Sequence, residues 1–303
     1  VPDLAEALDD IGELKRRYRA EGAVFVDGSR LAPVLRGLGA TRADLDRLRR
    51  VGDRLPEDPT LPFRRSRNGR FCYDAEAGRA YRLEFQPFVL SQEEDFVRHD
   101  SGMVRKFAEI GPDLQDNTAA QALMTFQFLM IGDVDIRPRP HLDYSTARWI
   151  LTLFHLRTIT TPQMLGQPAL EGVHSDGVDH TMTTLIDSRN MTPDSAITYL
   201  HDRRERNGTP WYAVDPAHVV GHHQHRGFLD TMLVADHERK HSVTPVRAED
   251  PTDNATRDML IFFTRRPATE NHISFPYDSQ RPHAATPMEI DIPAYAMTGA
   301  VRR

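Results

Sequence analysis

An imidazole and a carboxylate two residues apart, His174 and Asp176, stand in the segment Glu171-Gly172-Val173-His174-Ser175-Asp176-Gly177-Val178-Asp179. On a strand, residues i and i+2 share a face, so both side chains can reach one metal ion; on a helix they diverge. Two imidazoles and one carboxylate on one face of an iron(II) ion leave the opposite face open for a co-substrate and O₂. The remaining imidazole has to come from a later strand that returns beside the first. His241, in Lys240-His241-Ser242-Val243-Thr244-Pro245-Val246, occupies such a position. Sixteen residues further, Arg257 opens the apolar run Arg257-Asp258-Met259-Leu260-Ile261-Phe262. A dicarboxylate chelating the metal through a keto acid end needs a cation for its far carboxylate, and a guanidinium binds that group through two parallel hydrogen bonds. The plainer role for Arg257 is a strand-end ion pair with Asp258 or another surface acid.

His-x-Asp is a weak pattern in a chain with 14 histidines, and a second copy stands at His141-Leu142-Asp143. That copy follows Arg137-Pro138-Arg139-Pro140, which reads as a loop, so His141 is expected at the surface or in a supporting role. His174 instead lies between Gly172 and Gly177, at the entry to a β-rich stretch. His218, His222, His223, His225 and His237 compete with His241 for the third position. Of these, His222, His223 and His225 crowd a Gly- and Gln-containing segment that reads as an exposed loop.

The elements that must hold these groups follow from periodicity. Leu4, Leu8, Ile11 and Leu14 recur at helical spacing, predicting an amphipathic helix over roughly the first 20 residues, ended by Gly22. Ala23-Val24-Phe25-Val26 reads as a strand turning at Asp27-Gly28, and Thr41 caps a second helix reaching Leu55. Pro56, Pro59 and Pro62 then break the chain, and a third helix runs from about Asn117 to Met130. From Trp149 onward the apolar runs are short and β-branched: 149–154, 182–186, 196–199, 242–244 and 259–263. This pattern predicts an all-β core with helices, a double-sheet barrel of which the jelly roll is one form. The expected organisation is a single unit over 1–303, with a mainly helical N-terminal extension over 1–80 and the β core after it.

Composition narrows the class of ligand. Apolar residues make up 39% and charged residues 27% of the 303, the balance of a folded globular chain. The formal charge is −6, from 38 basic and 44 acidic side chains, and the basic ones are dispersed, which argues against nucleic acid or anionic membrane as partner. A small molecule is the expected partner, and the oligomeric state is not encoded in any pattern here. No run approaches a membrane span, and Val1-Pro2-Asp3-Leu4-Ala5-Glu6 has no basic or apolar leader character, so the expected location is cytoplasmic. Cys72, the single cysteine, excludes an internal disulfide and a cysteine-ligated cluster, leaving His, Asp and Glu to hold any metal.

Taken together, the blocks resemble the 2-oxoglutarate/iron dioxygenase family of bacterial L-isoleucine dioxygenase and related free amino acid hydroxylases. His155-Leu156-Arg157 looks like that family's strand before the metal site. Glu171 to Gly177 looks like its Glu-Gly-Ile/Val-His-x-Asp-Gly signature, His241 to Val246 like its distal-histidine block, and Arg257 to Leu260 completes the order. The likeness covers roughly residues 80–265. It implies a jelly roll, with Fe(II), 2-oxoglutarate and O₂ as cofactor and co-substrates, and decarboxylation coupled to oxidation of an unactivated C–H bond of an L-amino acid or a derivative. Hydroxylation is the expected outcome, with closure of a cyclopropane or aziridine ring, known in natural-product relatives, as the alternative. His155, Arg157 and Glu171 become candidate substrate contacts, although Arg157 and Glu171 could equally form an ion pair between strands. Where the family carries an Asn-Ile-x-Gly-Gly turn, this chain has Asn190-Met191-Thr192-Pro193-Asp194-Ser195, a departure that bears on substrate choice. Two readings of other kinds compete: a non-catalytic jelly-roll binding protein in which His174 and Asp176 bond only to each other, and a cupin-like zinc or manganese isomerase or hydrolase.

Overall fold

Helix and strand boundaries are set by recognisable caps and by where charged side chains find partners. The computed structural model describes residues 3–294; Val1 and Pro2 of the N-terminal stretch lie outside the described residues. In chain order the helices are α1 (Leu4–Glu21), α2 (Gly28–Gly37), α3 (Arg42–Leu48), α4 (Pro112–Gln115) and α5 (Thr118–Ile131). The strands are β1 (Ala23–Val26), β2 (Arg64–Asp74), β3 (Arg79–Leu83), β4 (Ala108–Glu109), β5 (Arg148–Thr160), β6 (His180–Arg189), β7 (Ile197–His201), β8 (Val219–Gln224), β9 (Thr231–Ala235), β10 (Lys240–Val243), β11 (Ala255–Arg265) and β12 (Glu289–Asp291). Asp3 caps α1 by accepting from the Glu6 amide at 2.8 Å, and Gly22 ends it in the left-handed region with its amide on Tyr18 O. Asn117 caps α5 by accepting from the amides of Ala119 and Ala120.

Two sheets result. The larger runs β1-β9-β6-β11-β5-β2-β3-β12, with β4 beside β2; the smaller runs β10-β7-β8. All pairings are antiparallel except β2 with β4. Strand alternation divides the large sheet into two faces. Leu151 and Leu153 of β5, Met182 and Ile186 of β6, and Leu260 and Phe262 of β11 pack into one apolar core with α1, α2, α3 and α5. Phe154 and Leu156 of β5, Thr181 and Thr183 of β6, and Arg257, Met259, Ile261 and Phe263 of β11 face the other way, into a cavity closed by Thr198 of β7 and His241 and Val243 of β10. This is the jelly-roll arrangement: two antiparallel sheets with the cavity between them and helices on the outer face of the larger.

Several expectations change. The β core does not begin near residue 80, because β1 and β2 both belong to the large sheet and β2 lies next to β5 over its whole length. The second helix stops at Leu48 rather than Leu55, and the chain then bends so that Gly52 meets the Arg157–Asp258 pair. Asp27-Gly28 opens α2 rather than a turn, with Pro33 inside that helix. The His-rich stretch is a strand, β8, paired with β7; His222 is exposed, His223 stacks on Phe25 at 4.9 Å and His225 is buried. His141 is exposed on a loop, as expected, while Arg139 and Leu142 beside it are buried. Among the described residues no helix is long and apolar enough to cross a membrane.

β2 also shows how the large sheet is anchored. Three of its four arginines are buried, each with a carboxylate: Arg64 on Asp58 at 2.6 Å, Arg67 on Asp113 at 2.7 and 2.8 Å, and Arg70 on Asp278. Asp278 also accepts from Arg265 at 2.8 and 3.0 Å and from the Ala268 amide at 2.6 Å. Burial alone would raise its pKa, but Arg265 and Arg70 hold the carboxyl well below the usual carboxylate range. A carboxyl depressed on folding stabilises above its unfolded value, near 3.9, and that contribution is lost as pH falls towards the folded value. Asp278→Asn is therefore expected to lower unfolding free energy by about 3–5 kcal/mol at pH 7, since it leaves two buried guanidinium groups without their anion. The gap between wild type and variant, measured by urea unfolding, should narrow as the pH drops below about 4.

Candidate metal and co-substrate site

The segment carrying His174 and Asp176 is an extended loop rather than a strand, joined to the smaller sheet by one antiparallel bridge. His174 donates its amide to His241 O and accepts the His241 amide, both at 2.9 Å. Gly172 (φ 76°) and Gly177 (φ 73°) bend the loop on either side. A Cβ on Gly172 would come within 2.4 Å of Thr209 O, and one on Gly177 within 2.8 Å of Glu94 O, so both bends require glycine.

The bridge sets the imidazoles 4.3 Å apart, centre to centre. His174 Nε2 lies 3.5 Å from Asp176 Oδ1 and His241 Nε2 lies 3.6 Å from Asp176 Oδ2. One ligand atom from each of the three residues falls within 4.8 Å of the others, close enough to share one ion. His174 Nδ1 is bonded to Gly172 O at 2.8 Å, so it carries the proton and Nε2 offers its lone pair to the centre of the group. Thr181 Oγ1 donates to Asp176 Oδ2 at 2.7 Å. Burial disfavours a charge on His174, but Glu171 and Asp176 override it and raise its pKa to about 10, while burial lowers that of His241 to about 4. Burial would raise Asp176, yet His241 and His174 hold it at about 2. A buried carboxylate that draws a proton onto a neighbouring imidazole is equally suited to a cation in the proton's place, and the donor set fits iron(II).

Behind the loop, buried Asp236 receives the Asp176 amide at 2.8 and 2.9 Å, the Val178 amide at 3.3 Å and Arg139 Nη2 at 2.8 Å. Arg139 Nε returns to Val178 O at 2.6 Å, and Tyr144 donates to Asp179 at 2.5 Å while accepting the Arg139 amide. These groups fix the backbone that carries Asp176.

Arg257 faces the same cavity from β11, 6% exposed and with no ion pair among the described residues; its Nε has no hydrogen-bond partner. Burial lowers its pKa to about 10, which leaves it charged at neutral pH. The plainer partner, Asp258, is taken: Arg157 Nε and Nη2 each donate to its carboxylate at 2.6 Å. Arg157 is thus an interstrand ion pair on the far face, not a cavity group. His155 also points away from the cavity, fully buried near Arg67, and burial holds its pKa well below 6.5. Both corrections come from alternation: on β5 the even-numbered Phe154 and Leu156 face the cavity, so His155 and Arg157 cannot. Glu171 does line it, with Oε1 at 3.6 Å from His174 Nε2. Residues 190–195 do not contribute to the lining.

Sequence reading missed three further arginines at the cavity, Arg64, Arg98 and Arg105, and the aromatic wall of Phe88, Phe96, Phe107, Phe154 and Phe263. Most come from the irregular stretch 84–107, which has no period to read. Its only signal is the clustering of Phe85, Phe88, Phe96 and Phe107 outside any predicted strand.

Comparison with known proteins agrees with this geometry. A family model described as 2OG-Fe dioxygenase matches residues 49–263. The solved structure of TqaL, a Fe(II)/(alpha)ketoglutarate-dependent dioxygenase, is 47% identical, with a TM-score of 0.84, over 96% of this chain and 98% of that one. The bifunctional enzyme flvA of Aspergillus flavus is 43% identical over 286 residues, 94% of this chain, which spans 35% of that protein's length. A bsmA homologue from Methylobium petroleophilum shares the fold at 19% identity, with a TM-score of 0.68 over 86% of this chain and 94% of that one. The chain belongs to the 2OG-Fe dioxygenase family, enzymes that work with Fe(II), 2-oxoglutarate and O₂.

Proposed function

We propose that this dioxygenase oxidises an unactivated C–H bond of an L-amino acid or amino acid derivative, with His174, Asp176 and His241 holding Fe(II) and Arg257 receiving the far carboxylate of 2-oxoglutarate. The observation that carries the reading is the buried, unpaired guanidinium of Arg257 in the same cavity as the triad. A desolvated cation without an anion is costly, and a dicarboxylate co-substrate supplies that anion. When bound, iron(II) with 2-oxoglutarate and O₂ supplies an oxidant able to take hydrogen from carbon, with loss of CO₂. The chain's own contribution is placement. Gly172 O fixes the His174 tautomer, Thr181 and the Asp236 clamp orient Asp176, and the phenylalanine wall excludes water from the reacting carbon. Family membership sets aside the non-catalytic binding module and the cupin-like zinc or manganese enzyme. Ring closure is the second outcome to test, since Glu171 beside His174 can hold an amine near the metal.

Anaerobic reconstitution with Fe(II) and 2-oxoglutarate should give the weak visible band of the iron–keto acid chelate in wild type and none in His174→Ala. Arg257→Ala should bind iron but need about 100-fold more 2-oxoglutarate to reach the same band. Iron retained by wild type with no band at any 2-oxoglutarate concentration would refute the co-substrate assignment. Product mass then separates the outcomes: gain of one oxygen for hydroxylation, loss of two hydrogens for ring closure.

Asp236→Asn keeps the shape of the clamp but replaces one amide acceptor by a donor facing the Asp176 and Val178 amides. Its affinity for iron(II), measured by competition with a chelator, is expected to fall about 10- to 100-fold while far-ultraviolet circular dichroism stays that of wild type. Unchanged affinity would mean that the clamp does not position Asp176.

A further inference from the structure

The cavity carries more charge than the triad and Arg257 account for. Arg64, Arg98, Arg105 and Arg257 reach it, against four carboxylates: Asp58 on Arg64, Asp100 on Arg98, and Glu171 and Asp176 at the metal end. Four positive and four negative groups cancel. A divalent cation and a dianionic 2-oxoglutarate also cancel, so the remaining ligand is best matched if it has no net charge.

That ligand is nevertheless polar. Arg64 donates to Asp58 at 2.6 Å and Arg98 binds Asp100 through two hydrogen bonds of 2.5 and 2.6 Å, so both are satisfied. Arg105 is not: its Nε and Nη2 are buried without a partner, and its nearest carboxylate, Asp100, stands at 3.7 Å and is already engaged by Arg98. The guanidinium is held in place by the rings of Phe88 and Phe96, 5.1 and 4.7 Å from their centres. Glu171 has the complementary vacancy. Its Oε2 is buried with no partner, and its Oε1 lies beside His174 Nε2. Buried donor atoms of one cation and a buried acceptor atom of one anion are therefore without hydrogen bonds in the same cavity, and such atoms are expensive to leave unpaired.

We propose that Arg105 and Glu171 form a clamp for a zwitterion, Arg105 taking the substrate's α-carboxylate and Glu171 its ammonium. This rests on the oxygenase reading above and deepens it. The clamp demands that both groups be free, so an ester, an amide or a carrier-bound thioester strands Arg105, and a des-amino acid strands Glu171. Discrimination of this kind is strong because it rests on buried polar groups left unpaired rather than on fit to an apolar wall. The substrate side chain meets that wall, Phe88, Phe107 and Phe154, and is apolar. Arg105 replaces His155 and Arg157, which the fold turns away, as the substrate-binding cation.

The test uses the anaerobic enzyme loaded with Fe(II) and 2-oxoglutarate and reads the shift of the chelate band as ligand is added, so no turnover is needed. The probes are L-valine, L-leucine, L-isoleucine, L-methionine and L-phenylalanine, with the methyl ester and the des-amino acid of each. At least one amino acid should shift the band, with its ester and its des-amino acid binding about 100-fold more weakly. In Arg105→Met the amino acid should bind no better than its ester, in Arg105→Lys the preference should be partly restored, and in Glu171→Gln the amino acid should bind no better than its des-amino acid. Each ratio of Kd values is taken within one variant, so it does not depend on how well that variant holds iron. A chelate that no amino acid of the panel shifts, an ester that binds as well as its acid in wild type, or an Arg105→Met variant that weakens acid and ester equally overturns the clamp and leaves the oxygenase reading intact. Failure of wild type to form the chelate overturns both.

Discussion

Two backbone hydrogen bonds between His174 and His241, each 2.9 Å long, are the constraint on which the site depends. They join positions 67 residues apart, and neither imidazole can be moved without moving a sheet. His241 is fixed because β10 pairs with β7 in register. His174 has no strand to rely on, so its loop is held from three other directions: by the glycine bends, by the pairing of Val173 with residues 208 and 209, and by the Asp236–Arg139 clamp behind Asp176. An extended loop tied this way gives the same convergence of His174 and Asp176 that a strand would, but leaves its inner side free of neighbouring strands.

The second constraint is the period of two along β5, β6 and β11. It separates an outer face that packs leucine, methionine and phenylalanine on the helices from an inner face that mixes threonine, arginine and phenylalanine around a cavity. A one-residue slip in register would exchange these faces, placing Arg257 in the helical core and Phe262 in the cavity. The eleven-residue pairing of β11 with β5, and the matching pairing of β2 with β5, make such a slip expensive. A rigid sheet can in this way expose a buried cation to a ligand without exposing it to water.

What could be read from the sequence follows from which signals are local. The convergence of His174 with Asp176 and the cavity-facing position of Arg257 could be read from local signals, i, i+2 spacing and strand entry, whereas His241, 67 residues away, had to be chosen among several downstream histidines. α1 was legible because Leu4, Leu8, Ile11 and Leu14 recur at helical spacing up to Gly22, and α5 because its apolar residues keep the same period from about Asn117 to Met130. β2 was not, since its sequence, Arg64-Arg65-Ser66-Arg67-Asn68-Gly69-Arg70-Phe71-Cys72, shows no apolar alternation; three of its arginines are buried by acids at positions 58, 113 and 278 that only the fold brings near. His155 and Arg157 were misplaced for the converse reason, a block resemblance that does not say which face of the strand a side chain takes. Arg98 and Arg105 left no signal, because an irregular segment has no period from which a direction can be inferred.

These features explain why the inner cavity tolerates so many arginines. Each guanidinium on β2 or next to it is matched within the protein, as Arg64 is by Asp58 and Arg98 by Asp100, and contributes little net charge. Arg257 and Arg105 are different: the fold desolvates both, yet Arg257 has no carboxylate in ion-pair reach among the described residues and Arg105 has only Asp100 at 3.7 Å, already bound by Arg98. A protein that carries such groups is destabilised until something binds them, and any ligand that binds only the folded state returns that free energy as stability in proportion to its concentration over Kd. Both side chains line the cavity, Arg257 from the inner face of β11 and Arg105 from the irregular segment before β4. On this view the burial of Arg257 with no carboxylate in ion-pair reach, and of Arg105 with only the shared Asp100 at 3.7 Å, couples the stability of the fold to whatever anion occupies the cavity.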